Sequence, residues 1–339
     1  VTPYPNQTRF VARACAQLGY RFTDLDDGGG YLFSVSDGLH EFVSGSGLIG
    51  TYPLNTAPAY CVSRDKFHTH VVLERTGLPT IASQLFFVRD DNARLRGPGR
   101  ERGDAEAAFA RAEKPLFCKP NQGSRGDFAE IVHDDAGFDD YLMRVAARYD
   151  AILLQPLLTG DEYRVFTIDG DAIFATRKSE LRLVGDGHSS LRQLLRMHNR
   201  QFDRSGVSPL TEENALAAIA SREGVRGEDI PAAGRAVAIP GRRNLSAGGD
   251  VESFTTDVPP PLADIALRAA RAIGLRVAGI DIFDISPRRD LSALTIIEVN
   301  GNPAIASLEA IGRSDVVDRI WTTILARSFA ELRLSPALP

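Results

Sequence analysis

Asp281, Glu298 and Asn300 are the residues whose types and spacing best suit chemistry. They sit in Val-Ala-Gly-Ile-Asp-Ile-Phe-Asp (277–284) and Thr-Ile-Ile-Glu-Val-Asn-Gly-Asn-Pro (295–303). Apolar and β-branched residues crowd each acid, which predicts two strands, and the polar stretch 286–290 between them predicts a hairpin loop. Residues two apart on a strand face the same way, so Glu298 and Asn300 share a face. An antiparallel partner brings Asp281 opposite them. Such a cluster of hard oxygens suits Mg²⁺, which takes one or two carboxylates together with a nucleotide's phosphates. The other reading is three polar side chains at strand ends, solvated and idle.

Two upstream segments bear on that choice. The first is Lys114-Pro-Leu-Phe-Cys-Lys119-Pro-Asn-Gln-Gly-Ser-Arg-Gly126. Lys119 ends an apolar strand, and the loop after it is small and polar. Glycines such as Gly123 and Gly126 let backbone N–H groups approach phosphate oxygens closely. The Gly-Lys-Ser/Thr ending of a Walker loop is missing, so a lid over a triphosphate fits better, with an ordinary hairpin turn as the alternative. The second is Ile152-Leu-Leu-Gln155-Pro-Leu-Leu158-Thr-Gly-Asp-Glu162-Tyr-Arg-Val165. A linker between two strands can offer backbone groups to a base edge, and Glu162 can accept from ribose hydroxyls. By itself the segment also reads as a surface turn.

Composition bounds the rest. A chain of 339 residues with 43% hydrophobic and 24% charged residues suits a globular protein of two or three subdomains. A net charge of −5 argues against a general nucleic-acid binder. No apolar run reaches the roughly 18 residues a membrane span needs, and no signal-peptide pattern opens the chain. Cys15, Cys61 and Cys118 make no metal or disulfide pattern and suit a reducing compartment, with the cytoplasm as default.

Periodicity predicts a helix over 6–18 with Asn6 as N-cap and Gly19 beyond its end, and strands over 20–25 and 31–36 joined by a turn at the Gly28–Gly30 run. A helix capped by Ser63 runs to Arg75, before Gly77 and Pro79. Residues 90–103 read as an exposed loop. Strands follow over 116–119, 128–132, 151–155, 163–168 and 172–176, the last two paired around Asp169-Gly170. Helices are predicted over 136–148, 189–202, 211–222, 261–273 and 314–332. The stretch 223–250 is long for a structureless loop and reads as functional or partly ordered. His68 and His70, two apart on a helix, do not share a face and read as surface or core residues. Cys118, beside Lys119, points to the opposite face and reads as a buried structural thiol.

Taken in order, these segments resemble the ATP-grasp superfamily of carboxylate–amine ligases. The likeness is nearest to the ATP-grasp part of cyanophycin synthetase and of the fused glutathione synthetases, and covers about 55–312. It is carried also by Arg64-Asp65-Lys66, Val184-Gly-Asp-Gly187 with Asn199, Asn244-Leu-Ser-Ala-Gly-Gly249, Ala278-Gly-Ile-Asp281 and Ile297-Glu-Val-Asn300. The resemblance implies an α/β (α+β) ATP-grasp fold: a pre-grasp region over 1–62, a first subdomain over 63–155 and a second over 156–339. It implies ATP as cofactor, with two Mg²⁺ ions for which Mn²⁺ could substitute. It places Lys66 and Lys119 on phosphates, and Gly123, Ser124 and Gly126 in a lid. It places Gln155 and Leu158 at the adenine hinge and Glu162 on ribose, with Asp281, Glu298 and Asn300 on metal. Lys178 falls where relatives carry an arginine near the γ-phosphate, with Arg177 beside it. Arg242, Arg243 and Asn244 fall where relatives contact substrate or acyl phosphate.

The implied reaction is ATP-dependent joining of an amino-acid or peptide carboxylate to an amine, releasing ADP and phosphate. The partners are small molecules or peptides, with no nucleic acid and no membrane, and the protein is expected to be a homo-oligomer and a stand-alone ligase making one bond. A small-molecule kinase or a nucleotide-binding regulator without turnover are the other readings. Gly279 replaces an arginine of D-alanine ligases, which disfavours that product. Arg125, Arg242 and Arg243 could bind an acidic acceptor, or form a solvated basic loop.

Overall fold

A computed structural model describes residues 4–91, 96–178, 180–205, 209–240 and 251–334. The chain opens with helix α1 (Asn6–Leu18), then strands β1 (Arg21–Asp24), β2 (Leu32–Ser36) and β3 (Glu41–Gly45), which form a meander in that order. The Gly28–Gly30 run is a turn, held by the Asp26 carboxylate, which accepts from Gly30 N at 2.5 Å and Tyr31 N at 2.9 Å. Asn6 is not the N-cap of α1: Pro5 takes that place, and Asn6 is the first helical residue. Gly19 ends the helix at φ 72°, in the left-handed conformation that glycine adopts without strain.

The single helix expected from Ser63 is two. Helix α2 (Ala57–Arg64) is capped by Thr56, and α3 (Lys66–Arg75) by Asp65, whose carboxylate accepts from His68 N at 3.0 Å. Asp65 is extended (φ −102°, ψ 102°), which breaks the helix and sets Lys66 at the first position of α3. Ser63 instead donates to Tyr60 O, one turn back.

A four-stranded sheet follows, built from β4 (Gln84–Phe87), β5 (Leu116–Pro120), β6 (Glu130–Val132) and β7 (Ala151–Pro156), with helices α4 (Arg102–Arg111) and α5 (Asp135–Ala146). Its order is β4-β7-β5-β6, and its core includes the stacked rings of Phe109 and Phe138. The next strands are β8 (Asp161–Ile168), β9 (Asp171–Lys178) and β10 (Leu181–Val184), then α6 (Leu191–Ser205), α7 (Glu212–Glu223), β11 (Ala236–Ile239) and β12 (Val251–Thr255). The β8–β9 turn has Asp169 and Gly170 both at positive φ, the geometry that fits strand twist in a tight hairpin. Strands β10 and β11 pair across 51 intervening residues, so the 223–250 stretch is partly ordered. The chain closes with α8 (Pro260–Ile273), β13 (Val277–Asp284), β14 (Leu294–Asn300), α9 (Ser307–Ala310) and α10 (Ser314–Leu334).

The large sheet has the order β12-β9-β8-β13-β14. Strand alternation divides its residues. Val165, Ala278, Ile280, Ile282 and Val299 face α8 and α3 in one apolar core. The opposite face is divided along its length. Phe166, Ile168, Phe174 and Val277 pack beneath α10 and α1, around Trp321 and Phe329. The remaining stretch of that face bears Glu162, Arg164, Lys178, Asp281 and Glu298 and is left for a cleft. Among the described residues no helix is long and apolar enough to cross a membrane.

Asn55 ties the N-terminal region to this sheet. Its amide donates to Val277 O (2.7 Å) and Gly301 O (2.8 Å) and accepts from Arg276 N and Val277 N (both 2.9 Å). An asparagine satisfied on both sides cannot be replaced without stranding backbone groups. Asn55→Ala is expected to lower the unfolding free energy by about 2–4 kcal/mol in urea titrations. A change within about 0.5 kcal/mol, the range of ordinary surface substitutions, would show that the tie contributes nothing.

Candidate active site

The floor of the cleft follows from strand register. Asp281 pairs with Glu298 on one side and Arg164 on the other, and Glu162 pairs with Lys178. The sequence expectation that a partner strand sets Asp281 against Glu298 therefore holds. Arg164 grips Asp281 as a two-pronged fork, Nε to Oδ1 and Nη2 to Oδ2, both 2.7 Å. Lys178 Nζ lies 2.5 Å from Glu162 Oε1 and 3.1 Å from Asp281 Oδ1. Burial works to raise the Asp281 carboxyl, but Arg164 and Lys178 overcome it and hold the group below the usual carboxylate range. Glu298 behaves alike: burial opposes ionisation, and Lys66 and Lys119 outweigh it.

Helix α3 and strand β5 supply the other cations, Lys66 and Lys119. Lys66 Nζ donates to Gly123 O at 2.6 Å and lies 3.5 Å from Glu298 Oε1. The side-chain oxygen of Asn121 accepts from Phe67 N at 2.9 Å, which ties the lid loop to the start of α3. Within the loop, Arg125, Gly126 and Phe128 all have positive φ, so the backbone turns sharply on itself. Asp127 at its end accepts from the Tyr149 hydroxyl at 2.6 Å. Lys119 closes β5. Burial is the main cause that lowers its ammonium to about 8, with Glu298 opposing and Lys66 assisting.

The segment between β7 and β8 runs along the same cleft. Gly160 is pressed against the β13–β14 loop: a Cβ there would lie 2.2 Å from Asp284 O. Arg289 braces this junction by donating to Asp284 O at 3.0 Å and Ser286 O at 2.9 Å. Gln155 is 2 % exposed and donates to Ser83 Oγ at 2.7 Å. Ser83 Oγ is also 2.7 Å from His70 Nδ1, and His70 Nε2 is 3.1 Å from Ile297 O. Burial first, then Lys119, lowers the His70 ring to about 4, so it is a neutral core histidine; His68 is exposed. Burial likewise pushes the Cys118 thiol far up, which removes it as a nucleophile.

All of the described site residues expected from the sequence line one cleft of ≈ 1440 Å³: Lys66, Lys119, Gly123, Ser124, Gly126, Gln155, Leu158, Glu162, Lys178, Asp281, Glu298 and Asn300. Arg125 and Arg177 line it too, whereas Arg242, Arg243 and Asn244 lie outside the described residues. Sequence reasoning missed Arg164, although Glu162-x-Arg164 repeats the two-residue spacing seen in Glu298-x-Asn300. It also missed Ser83, for which the sequence carries no local signal. Gly279 has a steric reason of its own, since a Cβ there would lie 2.7 Å from Pro303 Cβ.

The donor set fits a hard divalent cation. Asp281 and Glu298 face each other across the ladder, and Asn300 has a buried Nδ2 with no hydrogen-bond partner among the described residues. Turned over, that amide offers an oxygen instead. Among the described residues no three His, Cys, Asp or Glu side chains gather as a metal cage, so such an ion would draw its other ligands from a nucleotide and water.

Several known proteins are similar to this chain. The profile of the RimK-like ATP-grasp domain matches residues 222–324. The glutathione biosynthesis bifunctional protein of Streptococcus mutans is 28% identical over 85% of this chain and 38% of its own length. The cyanophycin synthetase of Geminocystis herdmanii is 24% identical over 70% of this chain and 27% of its own length. The chain thus spans well under half of these relatives. A bifunctional glutathione synthetase from Pasteurella multocida has a similar structure, with a TM-score of 0.51 at 19% identity over 96% of this chain and 44% of that one. The chain has the ATP-grasp fold, and its residues 222–324 are similar to the RimK-like ATP-grasp domain.

Proposed function

We propose that this chain is an ATP-dependent carboxylate–amine ligase. The observation that carries the reading is the convergence of Lys66, Lys119, Arg164 and Lys178 with Glu162, Asp281 and Glu298 in one cleft, beside a glycine-rich loop. Such a site neutralises and positions a polyphosphate, which is most of what phosphoryl transfer asks of a protein.

A carboxylate is a poor electrophile at neutral pH. Attack of its oxygen on the γ-phosphorus expels ADP and gives an acyl phosphate. Attack of an amine nitrogen on the acyl carbon then expels phosphate and, after loss of a proton, leaves an amide. Lys66 and Lys119 hold the phosphates, Glu162 the ribose, and the hinge at Gln155 and Leu158 the base. Arg164 and Lys178, held on Asp281, are the cations assigned to the transferred phosphoryl group. Asp281, Glu298 and Asn300 would hold Mg²⁺, which when bound adds positive charge against the phosphate oxygens. The 121–126 loop excludes water from the acyl phosphate, since hydrolysis competes with amide formation. Free thiols at Cys15, Cys61 and Cys118 fit a reducing compartment.

The decisive assay supplies ATP, Mg²⁺ and pooled amino acids and dipeptides, and follows ADP, phosphate and product mass. Free phosphate with a new amide is expected. A phosphorylated product without free phosphate would replace the ligase with a kinase. Glu298→Gln is expected to lower turnover about 100-fold or more while the circular dichroism melt is retained; full activity would remove Glu298 from the site.

Lys119 adds a pH dependence. Its ammonium loses a proton near 8 in the free protein, and a bound phosphate favours the charged form. Affinity for ADP is therefore full below that value and weakens as pH rises through it, by up to about tenfold per unit. Calorimetry in buffers of different ionisation enthalpy should show proton uptake on binding above pH 8. Lys119→Arg should abolish that uptake, because guanidinium stays charged.

A further inference from the structure

Four groups link the metal-side strand to the base hinge: Ile297 O, His70, Ser83 Oγ and Gln155 Nε2, at 3.1, 2.7 and 2.7 Å in turn. Ile297 is the residue left over by a β-bulge. The register passes from Asp281↔Glu298 to Ile282↔Ile296, so Ile297 has no partner on β13. Its carbonyl is turned to His70 instead.

A carbonyl oxygen can only accept, so His70 Nε2 must carry the proton. The ring is neutral in its buried setting, so Nδ1 is then an acceptor. The Ser83 hydroxyl has one proton and gives it to Nδ1 at 2.7 Å rather than to Ile81 O at 3.0 Å. Ser83 Oγ is left as an acceptor and takes a proton from Gln155. The reverse orientation of Gln155 fails at the far end. Its oxygen would claim the Ser83 proton, His70 would have to donate from Nδ1, and a bare Nε2 would face Ile297 O. Two acceptors at 3.1 Å repel. The orientation of the Gln155 amide is thereby fixed by the tautomer of a histidine.

We propose that Ile297, His70 and Ser83 form a one-way hydrogen-bond relay. It holds Gln155 with its carbonyl oxygen toward the cleft and so selects a 6-aminopurine nucleotide over a 6-oxopurine one. The inference rests on the reading of this cleft as a nucleotide site. His70 and Ser83 are positioning residues, because they act through Gln155. The exocyclic amine of adenine donates to the presented oxygen. The 6-oxo group of hypoxanthine is an acceptor and meets another acceptor, and an unpaired buried polar group is costly.

The test is calorimetric binding of Mg·ADP and Mg·IDP to the full chain, which needs no knowledge of the ligation substrate. Wild type is expected to prefer ADP by about tenfold or more. In Ser83→Ala and in His70→Phe the amide is free to turn, and the preference should shrink to about threefold or less through weaker ADP and stronger IDP binding. Gln155→Glu in the Ser83→Ala background should restore the preference, since a carboxylate presents an acceptor whichever way it turns. A merely structural role would weaken both nucleotides alike. An unchanged ADP/IDP ratio in both single variants, with nucleotide still bound, overturns the relay and leaves the ligase reading standing. If wild type binds neither nucleotide, both fall.

Discussion

The Arg164–Asp281 fork is the interaction on which the site depends. Two carboxylates, Asp281 and Glu298, face each other on adjacent strands of a sheet whose other face is an apolar core. Without compensation they would repel and protonate, and buried unpaired charge is strongly destabilising. Arg164 supplies the compensation from the neighbouring strand, where pairing places it directly opposite Asp281. Lys178 adds a second cation shared between Asp281 and Glu162, and Lys66 a third beside Glu298. The charges are thus balanced within the protein before any ligand arrives. On the proposed function, a polyphosphate entering the cleft would meet cations already held in place, which is the preorganisation that electrostatic catalysis requires.

The same sheet face explains why the cleft lies where it does. Phe166 and Arg164 sit two apart on β8, pointing the same way. Phe166 is covered by the aromatic core under α10, and Arg164 is not. The boundary between core and site therefore falls between consecutive inward-facing residues of a single strand. Rigid backbone pairing on the core side fixes the geometry on the ionised side, so the functional groups stand on sheet rather than on loops. The β7–β8 linker and the 121–126 loop then approach from the four-stranded sheet, pinned by Gly160 against Asp284 and by Asn121 against the first turn of α3.

Much of this was legible in the sequence where local pattern determines structure. Helix α8 and the β13–β14 hairpin carry strong periodicity and clear stop signals, and Asp169-Gly170 has turn chemistry of its own. Local pattern misled where a single residue decides. Asp65 splits one apparent helix into two because its side chain caps α3 better than Ser63 could cap a longer run. Partnerships across long separations were not legible. Arg164 meets Asp281 across 117 positions and Gln155 meets Ser83 across 72. Nothing in the residues around either position encodes the partner, because only the assembled sheets bring them together. The family likeness pointed to residues that line the cleft and not to their supports.

Those supports give the fold a coherence that the ligand-facing residues lack by themselves. The bulge at Ile297 does two things at once. It adjusts the strand so that Glu298 stays level with Asp281, and it frees a carbonyl for His70. His70 is one turn along α3 from Lys66, so the helix that sets Lys66 beside Glu298 also carries the link toward Gln155. A shift of α3 would move Lys66, His70 and, through Ser83, Gln155 together. The Lys66 end and the Gln155 end of the cleft are therefore joined by a buried polar path rather than by the apolar core alone. Hydrogen bonds, unlike apolar contacts, transmit direction as well as distance. That is why a strand irregularity beside the carboxylates can set the donor–acceptor sense of an amide at the hinge.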